Sequence, residues 1–349
     1  MIKFISFKET SRFHNPLAGG RVEDFAIEVR SDPLLGHRSL HAAGIADKRI
    51  FAFPPTDTAY LENLAATTEK NCYLCEDRWM IATPLYEESL IAGGRIQVND
   101  AVLFPNLFPM AKYHAVIMAG SRHFLPLNAF RPQTVANAAM AGLAFVRRVH
   151  QSDPECRHFT LCANYLQPAG ASSTHPHFQV LGSPFAWTRH QQVLEKSKAY
   201  FDASKSPYFE DLAAIEEQTQ DRWIGRMGQS AWFAAYSPLG MNEINAVWCG
   251  RENFLQLSDD DAGDFGRGLC AVLSALAAMG HSTFNFSCFS GPLGQDTPWF
   301  RVFLRIVTRQ NMMPDYRSDD SFFQKLLGNE MMAWTPEELA GIVRNHFRG

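Results

Sequence analysis

Residues 164–182 read NYLQPAGASSTHPHFQVLG, and the chain can be organised outward from the two histidines in that run. His175 and His177 flank Pro176, and FQVLG (178–182) has the apolar, β-prone character of a strand. On a strand, residues at i and i+2 share a face. His175, His177 and Gln179 therefore project together, while Pro176 points away and supplies no ladder hydrogen bond. Same-face neighbours are roughly 7 Å apart, far enough for one imidazole to serve a metal while the other stays free. A neutral imidazole attacks phosphorus readily and divides a transfer into two steps through a covalent intermediate. Upstream, Gly170-Ala171-Ser172-Ser173 offers backbone N–H groups and hydroxyls suited to cradling phosphate. Taken alone, the His-Pro-His tripeptide reads as a surface turn.

A second group of metal-binding residue types lies nearer the N-terminus. Cys72-Tyr73-Leu74-Cys75 has the two-residue gap that lets both thiolates reach one Zn²⁺ from a tight turn. Zinc needs two further ligands, and His123 and His175 could supply them. Such a Cys₂His₂ set would be closed and structural, because no position remains for water or substrate. Two half-buried loop cysteines are the competing reading of the pair. The chain has seven cysteines, at 72, 75, 156, 162, 249, 270 and 288, an odd number with a single close pair. That usage points to a reducing compartment, the cytoplasm, and not to a disulfide framework.

The chain has 349 residues, 46% hydrophobic and 19% charged, enough for one large domain or two moderate ones. Net charge is −4 and no basic run exceeds Arg147-Arg148, which argues against a nucleic-acid partner. Any phosphate must be held by a few local groups. The opening MIKFISFKETSRFHNP has no long apolar core and no cleavage site, so it reads as mature protein. No uncharged apolar stretch approaches the roughly 20 residues of a membrane helix, and no membrane association is expected.

Mixed α and β structure is expected along the chain. AVLFPNLF (101–108), YHAVIMAG (113–120) and HFTLCANYL (158–166) read as strands, and Pro132 to His150 as an amphipathic helix. Ser258 with Asp259–Asp261 opens a second helix toward Gly280. Thr335 and Glu338 form a capping box around Pro336 for a last one. SRHFLPL (121–127) and GRENFLQL (250–257) each follow a strand-like run and precede a helix-like one, an internal repeat offset by about 130 residues. In this register His123 faces Asn253, and the His-Pro-His run faces TPWFRVFLRIV (297–307), which has no histidine. Only the first half then retains the polar constellation.

NYLQPAGASSTHPHFQ (164–179) resembles the signature of galactose-1-phosphate uridylyltransferases, the nucleotidyl-transferring branch of the histidine-triad superfamily. Further matches occur in order: NPLAGGR (15–21), CYLC (72–75), FPNLFP (104–109), SRHFLPL (121–127), KAYF (198–201), LGNEM (327–331) and TPEEL (335–339). The resemblance spans nearly the whole chain. It implies an α+β fold of two histidine-triad-like halves, each an antiparallel sheet with flanking helices, packed as one unit. The N-terminal half would be 1–190, with the zinc and catalytic site, and the degenerate C-terminal half 191–349, with a sugar-phosphate-binding segment. His177 would be the nucleophile and Gln179 would hydrogen-bond the transferred phosphoryl group. Asn106, Asn164, Gly170, Ser172 and Ser173 would bind the nucleotide and its phosphates. Cys72, Cys75, His123 and His175 would hold a structural zinc. Arg30 or Arg38 would contact phosphate, and the chain would form a homodimer.

The departures fall in the second half. A glutamate that ligates a second metal in some members is Val193 here. The run SCFSGPLGQDTPWFRVFLR (287–305) has no histidine, so no second metal is expected. The sugar-binding Gly-Tyr-Glu-Met becomes Gly328-Asn329-Glu330-Met331, which keeps Glu330 and puts Asn329 in place of the tyrosine. A nearby lysine position is Gln324, with Lys325 next to it. The resemblance therefore implies a nucleotidyltransferase moving a nucleoside monophosphate from a nucleotide-sugar to a sugar phosphate through a nucleotidyl-histidine. The alternative is a phosphorylase of nucleotide-sugars or dinucleoside polyphosphates that uses inorganic phosphate. A non-catalytic nucleotide-binding protein would have no need of His177. Hydrolases of the superfamily carry a third histidine where this chain has Gln179, and glutamine cannot act as an acid or base.

Overall fold

The β-branched and aromatic runs form strands, and the 132–150 run forms a helix, in the computed structural model, which describes residues 2–42, 44 and 54–347. A long hairpin, β1 (Ile5–Asn15) and β2 (Arg21–Ser31), leads into β3 (Arg38–Ala42) and helix α1 (Thr58–Glu69). Strands β4 (Ile96–Val98), β5 (Ala101–Pro105) and β6 (Tyr113–Ala119) precede α2 (Pro132–Ser152), β7 (His158–Tyr165) and β8 (His177–Ser183). Helices α3 (Thr188–Ser204) and α4 (Tyr208–Thr219) follow. The pattern then repeats as β9 (Trp223–Met227), β10 (Ser230–Ala234), β11 (Ile244–Trp248), α5 (Asp259–Ala278), β12 (Phe284–Phe289) and β13 (Phe303–Thr308). Strand β14 (Glu330–Met331) and helix α6 (Pro336–Arg344) close the chain. The expected Thr335–Glu338 capping box forms, and the helix expected from Ser258 is also closed by a capping box, with Asp261. No helix among the described residues is long and apolar enough to cross a membrane.

Ten strands make one antiparallel sheet in the order β4-β5-β6-β8-β7-β12-β13-β11-β10-β9. The order reads alike from either edge, which is the internal repeat made visible: His158 and Phe284, like His177 and Phe303, begin equivalent strands 126 residues apart. The halves meet where β7 pairs with β12, from Tyr165–Phe284 to Thr160–Phe289. The expected junction at 190/191 falls inside α3, so the connection there is helical. A smaller sheet, β1-β2-β3-β14, has no counterpart in the sequence expectations. Its two-residue β14 runs parallel to β3 and carries no periodic pattern long enough to read.

Alternation along the strands sorts the two faces of the large sheet. Leu103, Ile117, Phe178 and Phe286 face α2 and α5 in the main core, where full burial of each such side chain stabilises by about 1.5–3 kcal/mol. The opposite face is covered in two places. Leu74 and Trp79 pack on Val102, Phe104, Val116 and Met118 at one end, and α3 and α4 pack Val193, Tyr208 and Phe209 on Phe233, Val247 and Phe303 at the other. Between the covers, Gln179, Cys162, Ser287 and Arg305 lie directly opposite one another on successive strands and are only half-buried. That exposed strip positions the site.

Two features generate stability predictions. Helices α2 and α5 cross at Gly266, where a Cβ would collide with the Pro132 carbonyl and lie 3.2 Å from the Ala136 nitrogen. Backbone cannot yield as a side chain can, so Gly266→Ala should destabilise by roughly 1–3 kcal/mol in urea unfolding, despite alanine's better helix propensity. His190 on α3 is fully buried against Phe289 and edge-on to His158. Burial, then the His158 charge, depresses it to about 4. The folded state therefore binds this proton more weakly than the unfolded chain. Stability is complete above about pH 6.5 and is lost as pH falls from there toward 4. His190→Phe should flatten the fall of the urea midpoint between pH 7 and 5.

Candidate active site and metal centre

Helix α1 ends at Glu69, and the chain turns so that the Cys72 N–H reaches the Glu69 carbonyl (3.1 Å) and the Cys75 N–H the Cys72 carbonyl (3.4 Å). This turn presents both sulfurs to one side. His123 arrives on the loop after β6, which leaves the strand at Gly120 with φ +83°, a conformation that favours glycine. Tyr165 on β7 pins that loop: its hydroxyl accepts the Leu125 N–H (3.1 Å) and donates to the Leu125 carbonyl. His175 lies two residues ahead of β8, its own N–H held by Ser173 Oγ (3.2 Å).

The four side chains converge. Cys75 Sγ lies 3.3 Å from His123 Nδ1 and 3.4 Å from His175 Nδ1, and Cys72 Sγ lies 3.8 Å from His175 Nδ1. All four ligand atoms are within 4.8 Å of one another, and all four residues are buried. The edge of a tetrahedron built on zinc–sulfur and zinc–nitrogen bonds is about 3.6 Å, so the observed separations fit. The far side of each ring sets its tautomer. His175 Nε2–H donates to the Gly120 carbonyl (2.9 Å), and His123 Nε2–H donates to Thr68 Oγ1 (2.9 Å), whose own proton goes to the Leu64 carbonyl (2.8 Å). Both Nδ1 lone pairs therefore point inward, as metal ligation requires. Burial holds the His175 imidazole at about 4, and burial with the neighbouring Cys72 thiol lifts Cys75 to about 12. The cluster is a buried Cys₂His₂ set that could hold a metal ion.

His177 plays a different part. Its Nδ1–H donates to the carbonyl of His175 (2.9 Å), and Nε2 makes no hydrogen bond among the described residues and reaches solvent. Burial lowers its pKa, opposed by that hydrogen bond, so the ring is neutral near pH 7 with its lone pair on Nε2. Gln179 shares the face, and its orientation comes from a residue that the sequence pattern did not single out. His114 on β6 accepts the Met110 N–H at Nδ1 (3.1 Å), so its proton sits on Nε2 and is donated to Gln179 Oε1 (2.7 Å). The Gln179 NH₂ is left to face outward. Alternation in YHAVIMAG puts His114, Val116 and Met118 on one face, but only the β6–β8 register brings that face to Gln179.

The loop before His175 makes the third wall. Leu166, at φ +65°, turns the chain out of β7 into a short 3₁₀ turn that ends at Gly170, φ +86°. Ser172 is exposed, and Ser173 is occupied with the His175 N–H. Asn164 presents Oδ1 to Asn285 Nδ2 (2.7 Å) and keeps its NH₂ free. Asn285 lines a cavity of about 170 Å³ with Arg309, Asp319, Asp320, Gln324 and Glu330. Glu330 Oε1 accepts from Gln324 (2.8 Å), and burial raises its carboxyl to about 7.

Other expected residues lie elsewhere. Asn106 caps the Phe108 N–H (2.9 Å) and sets its Nδ2 3.2 Å from His114 Nε2. Asn329 hydrogen-bonds through its backbone to Phe323 and does not line the Glu330 cavity. Arg30 is not available to phosphate in this chain, because its guanidinium is held by Glu28 (2.9 Å) and Glu337 (2.8 Å) over the Tyr236 ring. Arg38 is exposed and carries no ion pair among the described residues. Val193 is buried in the apolar cluster of Phe209, Phe300 and Phe303.

No protein-family model matches the chain. An uncharacterized protein of Archaeoglobus fulgidus is 28% identical over 343 residues, 97% of this chain and 98% of that protein. An ADP-glucose phosphorylase from Arabidopsis thaliana, solved with bound ADP-glucose, superposes with a TM-score of 0.68 at 19% identity, covering 91% of this chain and 98% of that one. A GalT-like protein from Arabidopsis thaliana gives 0.68 at 18% identity over 90% and 98%. A uridylyltransferase mutant gives 0.65 at 16% identity over 92% and 98%. These likenesses establish the fold: the chain has the GalT-like α+β architecture of antiparallel sheets and flanking helices that the motif resemblance implied.

Metal binding must strip protons from buried thiols, so affinity should rise with pH between 6 and 8 and release about two protons per ion. Titration with Zn²⁺ in a weak buffer measures both, and Cys75→Ser should abolish stoichiometric binding.

Proposed function

We propose that this chain is a nucleotidyltransferase or phosphorylase of the galactose-1-phosphate uridylyltransferase type, acting through a covalent nucleotidyl-His177. The observation that carries the reading is the state of His177: Nδ1–H tied to a backbone carbonyl, Nε2 without a hydrogen-bond partner among the described residues, beside a glutamine amide with free N–H groups. In the first step Nε2 attacks the α-phosphorus of a nucleotide-sugar, forming the N–P bond as the P–O bond to the sugar phosphate breaks. The positive charge that develops on the ring is stabilised by the His175 carbonyl at Nδ1–H. Gln179 NH₂, Asn164 NH₂ and the backbone N–H groups of the 172–174 loop donate to the phosphoryl oxygens, whose charge grows in the transition state. The leaving group is itself a phosphate and needs no proton, which makes glutamine sufficient at 179. In the second step an acceptor phosphate oxygen attacks the same phosphorus and returns His177 with its lone pair.

The residues that would hold zinc are Cys72, Cys75, His123 and His175. When bound, the ion would cross-link α1, the β6–α2 loop and the strand entrance, and so fix the backbone from which His177 projects. Acid groups outnumber the single arginine around the Glu330 cavity, which suits uncharged hydroxyl groups of a sugar. A two-half organisation (1–190 and 191–349), a cytoplasmic homodimer, and the choice between sugar phosphate and inorganic phosphate as acceptor belong to the same reading.

Incubation with α-³²P-labelled UDP-glucose and ADP-glucose should give acid-labile label on the protein. His177→Ala should take none. His177→Ala that labels like the wild type would overturn the mechanism. Release of the label by inorganic phosphate, but not by sugar phosphates, would identify a phosphorylase.

A further inference from the structure

Asn285 occupies the seam between the halves, opposite Asn164 across the β7–β12 pairing and opposite Val307 on β13. Its Nδ2 donates to Asn164 Oδ1 (2.7 Å) and to the Ala169 carbonyl (2.8 Å), and its Oδ1 accepts from Arg309 Nη1 (2.9 Å). Arg309 is clamped in turn by both oxygens of Asp319 (2.7 and 2.6 Å). The orientation of each amide in this chain is dictated by its partners. A guanidinium can only donate and the Ala169 carbonyl can only accept, so Asn285 must turn Oδ1 to Arg309 and NH₂ to the loop. Asn164 must then offer its oxygen to Asn285, which leaves the Asn164 NH₂ facing Gly170, where a Cβ would lie 3.7 Å from that nitrogen.

We propose that Asn285 is a positioning residue for nucleotidyl transfer, setting the Asn164 amide and the 169–173 phosphate loop from the second half of the chain through Arg309 and Asp319. This rests on the functional reading above. The degenerate half thereby acquires a specific role. It contributes no nucleophile, but one of its strands orients a donor on the half that does. Asparagine is required because the position needs an acceptor on one side and two donors on the other. Aspartate, of the same shape, would keep Arg309 and set a carboxylate oxygen against two acceptors.

The test compares wild type, Asn285→Asp and Arg309→Gln in single-turnover labelling of His177 by the α-³²P donor that labels wild type. Amide hydrogen exchange over residues 166–174 and metal content are measured on the same proteins. Displacement of a phosphate ligand by up to about 1 Å costs on the order of 10- to 100-fold in rate. Asn285→Asp should lower the labelling rate at saturating donor by that factor, with the half-saturating donor concentration within about threefold and metal content unchanged. Arg309→Gln, which keeps the Asn285 donors, should lose less, about 3- to 10-fold. A rate equal to wild type, or a loss confined to the half-saturating concentration, overturns the positioning role. If no donor labels wild type, the functional reading fails by itself and exchange decides this one. Roughly tenfold faster exchange of 166–174 in Asn285→Asp supports the clamp, and unchanged exchange overturns it. Should Asn285→Asp not fold, Arg309→Gln is read by the same two measurements.

Discussion

Pairing of β7 with β12, from Tyr165–Phe284 to Thr160–Phe289, turns two five-stranded sheets into one, and the rest of the structure depends on that register. It brings Cys162 opposite Ser287 and Asn164 opposite Asn285 on the half-buried face. A slip of β12 by one residue would send Asn285 and Ser287 into the α2–α5 core and bring Phe284 and Phe286 out to solvent. The apolar face is what prevents the slip. Phe178, Phe265, Phe284 and Phe286 interlock there with ring centroids 5.0–6.3 Å apart. The core therefore fixes the polar face by excluding every other alignment.

On that polar face, backbone carbonyls divide the work of two similar side chains. Gly120 takes the Nε2 proton of His175 and so aims Nδ1 at the two sulfurs, while His175 itself takes the Nδ1 proton of His177 and so frees Nε2. The residue that helps close the Cys₂His₂ cluster thus also supplies the carbonyl that sets the tautomer of His177, the proposed nucleophile. The Cys₂His₂ cluster and the proposed reaction site are joined by a single peptide segment, and an ion held there would need only a closed, structural role to fix it. His114 does the same for Gln179 from the neighbouring strand. In each case the group that would touch phosphorus has its polarity decided by an atom that would not.

The N-terminal and C-terminal segments are tied together away from this strip. β14 pairs with β3, and Arg30 and Arg222 share Glu337 on α6, with Arg222 also on Glu216. Such a network is costly to break, since removing one partner strands a buried charge. It explains why Arg30, one of the two arginines that the resemblance offered for phosphate, is held by carboxylates in this chain.

Much of the molecule was legible in one dimension because its signals are local. Alternating and 3.6-residue apolar periods marked β5 to β8, α2 and α5, Ser and Thr caps marked helix starts, and the offset between SRHFLPL and GRENFLQL marked the duplication. The spacing of Cys72 and Cys75, with His123 and His175, named the cluster that the fold assembles. What the linear order could not carry is which distant residues share a hydrogen bond. His114, Asn285, Arg309 and Asp319 sit in unremarkable contexts and gain their parts from strand register. The short β3–β14 pair is held by long-range contacts and not by propensity. Residue type and spacing determined the chemistry available to this protein; the tertiary structure decided which nitrogen of each ring and which end of each amide faces the site, because those choices depend on the nearest acceptor in space, and sequence separation says nothing about that.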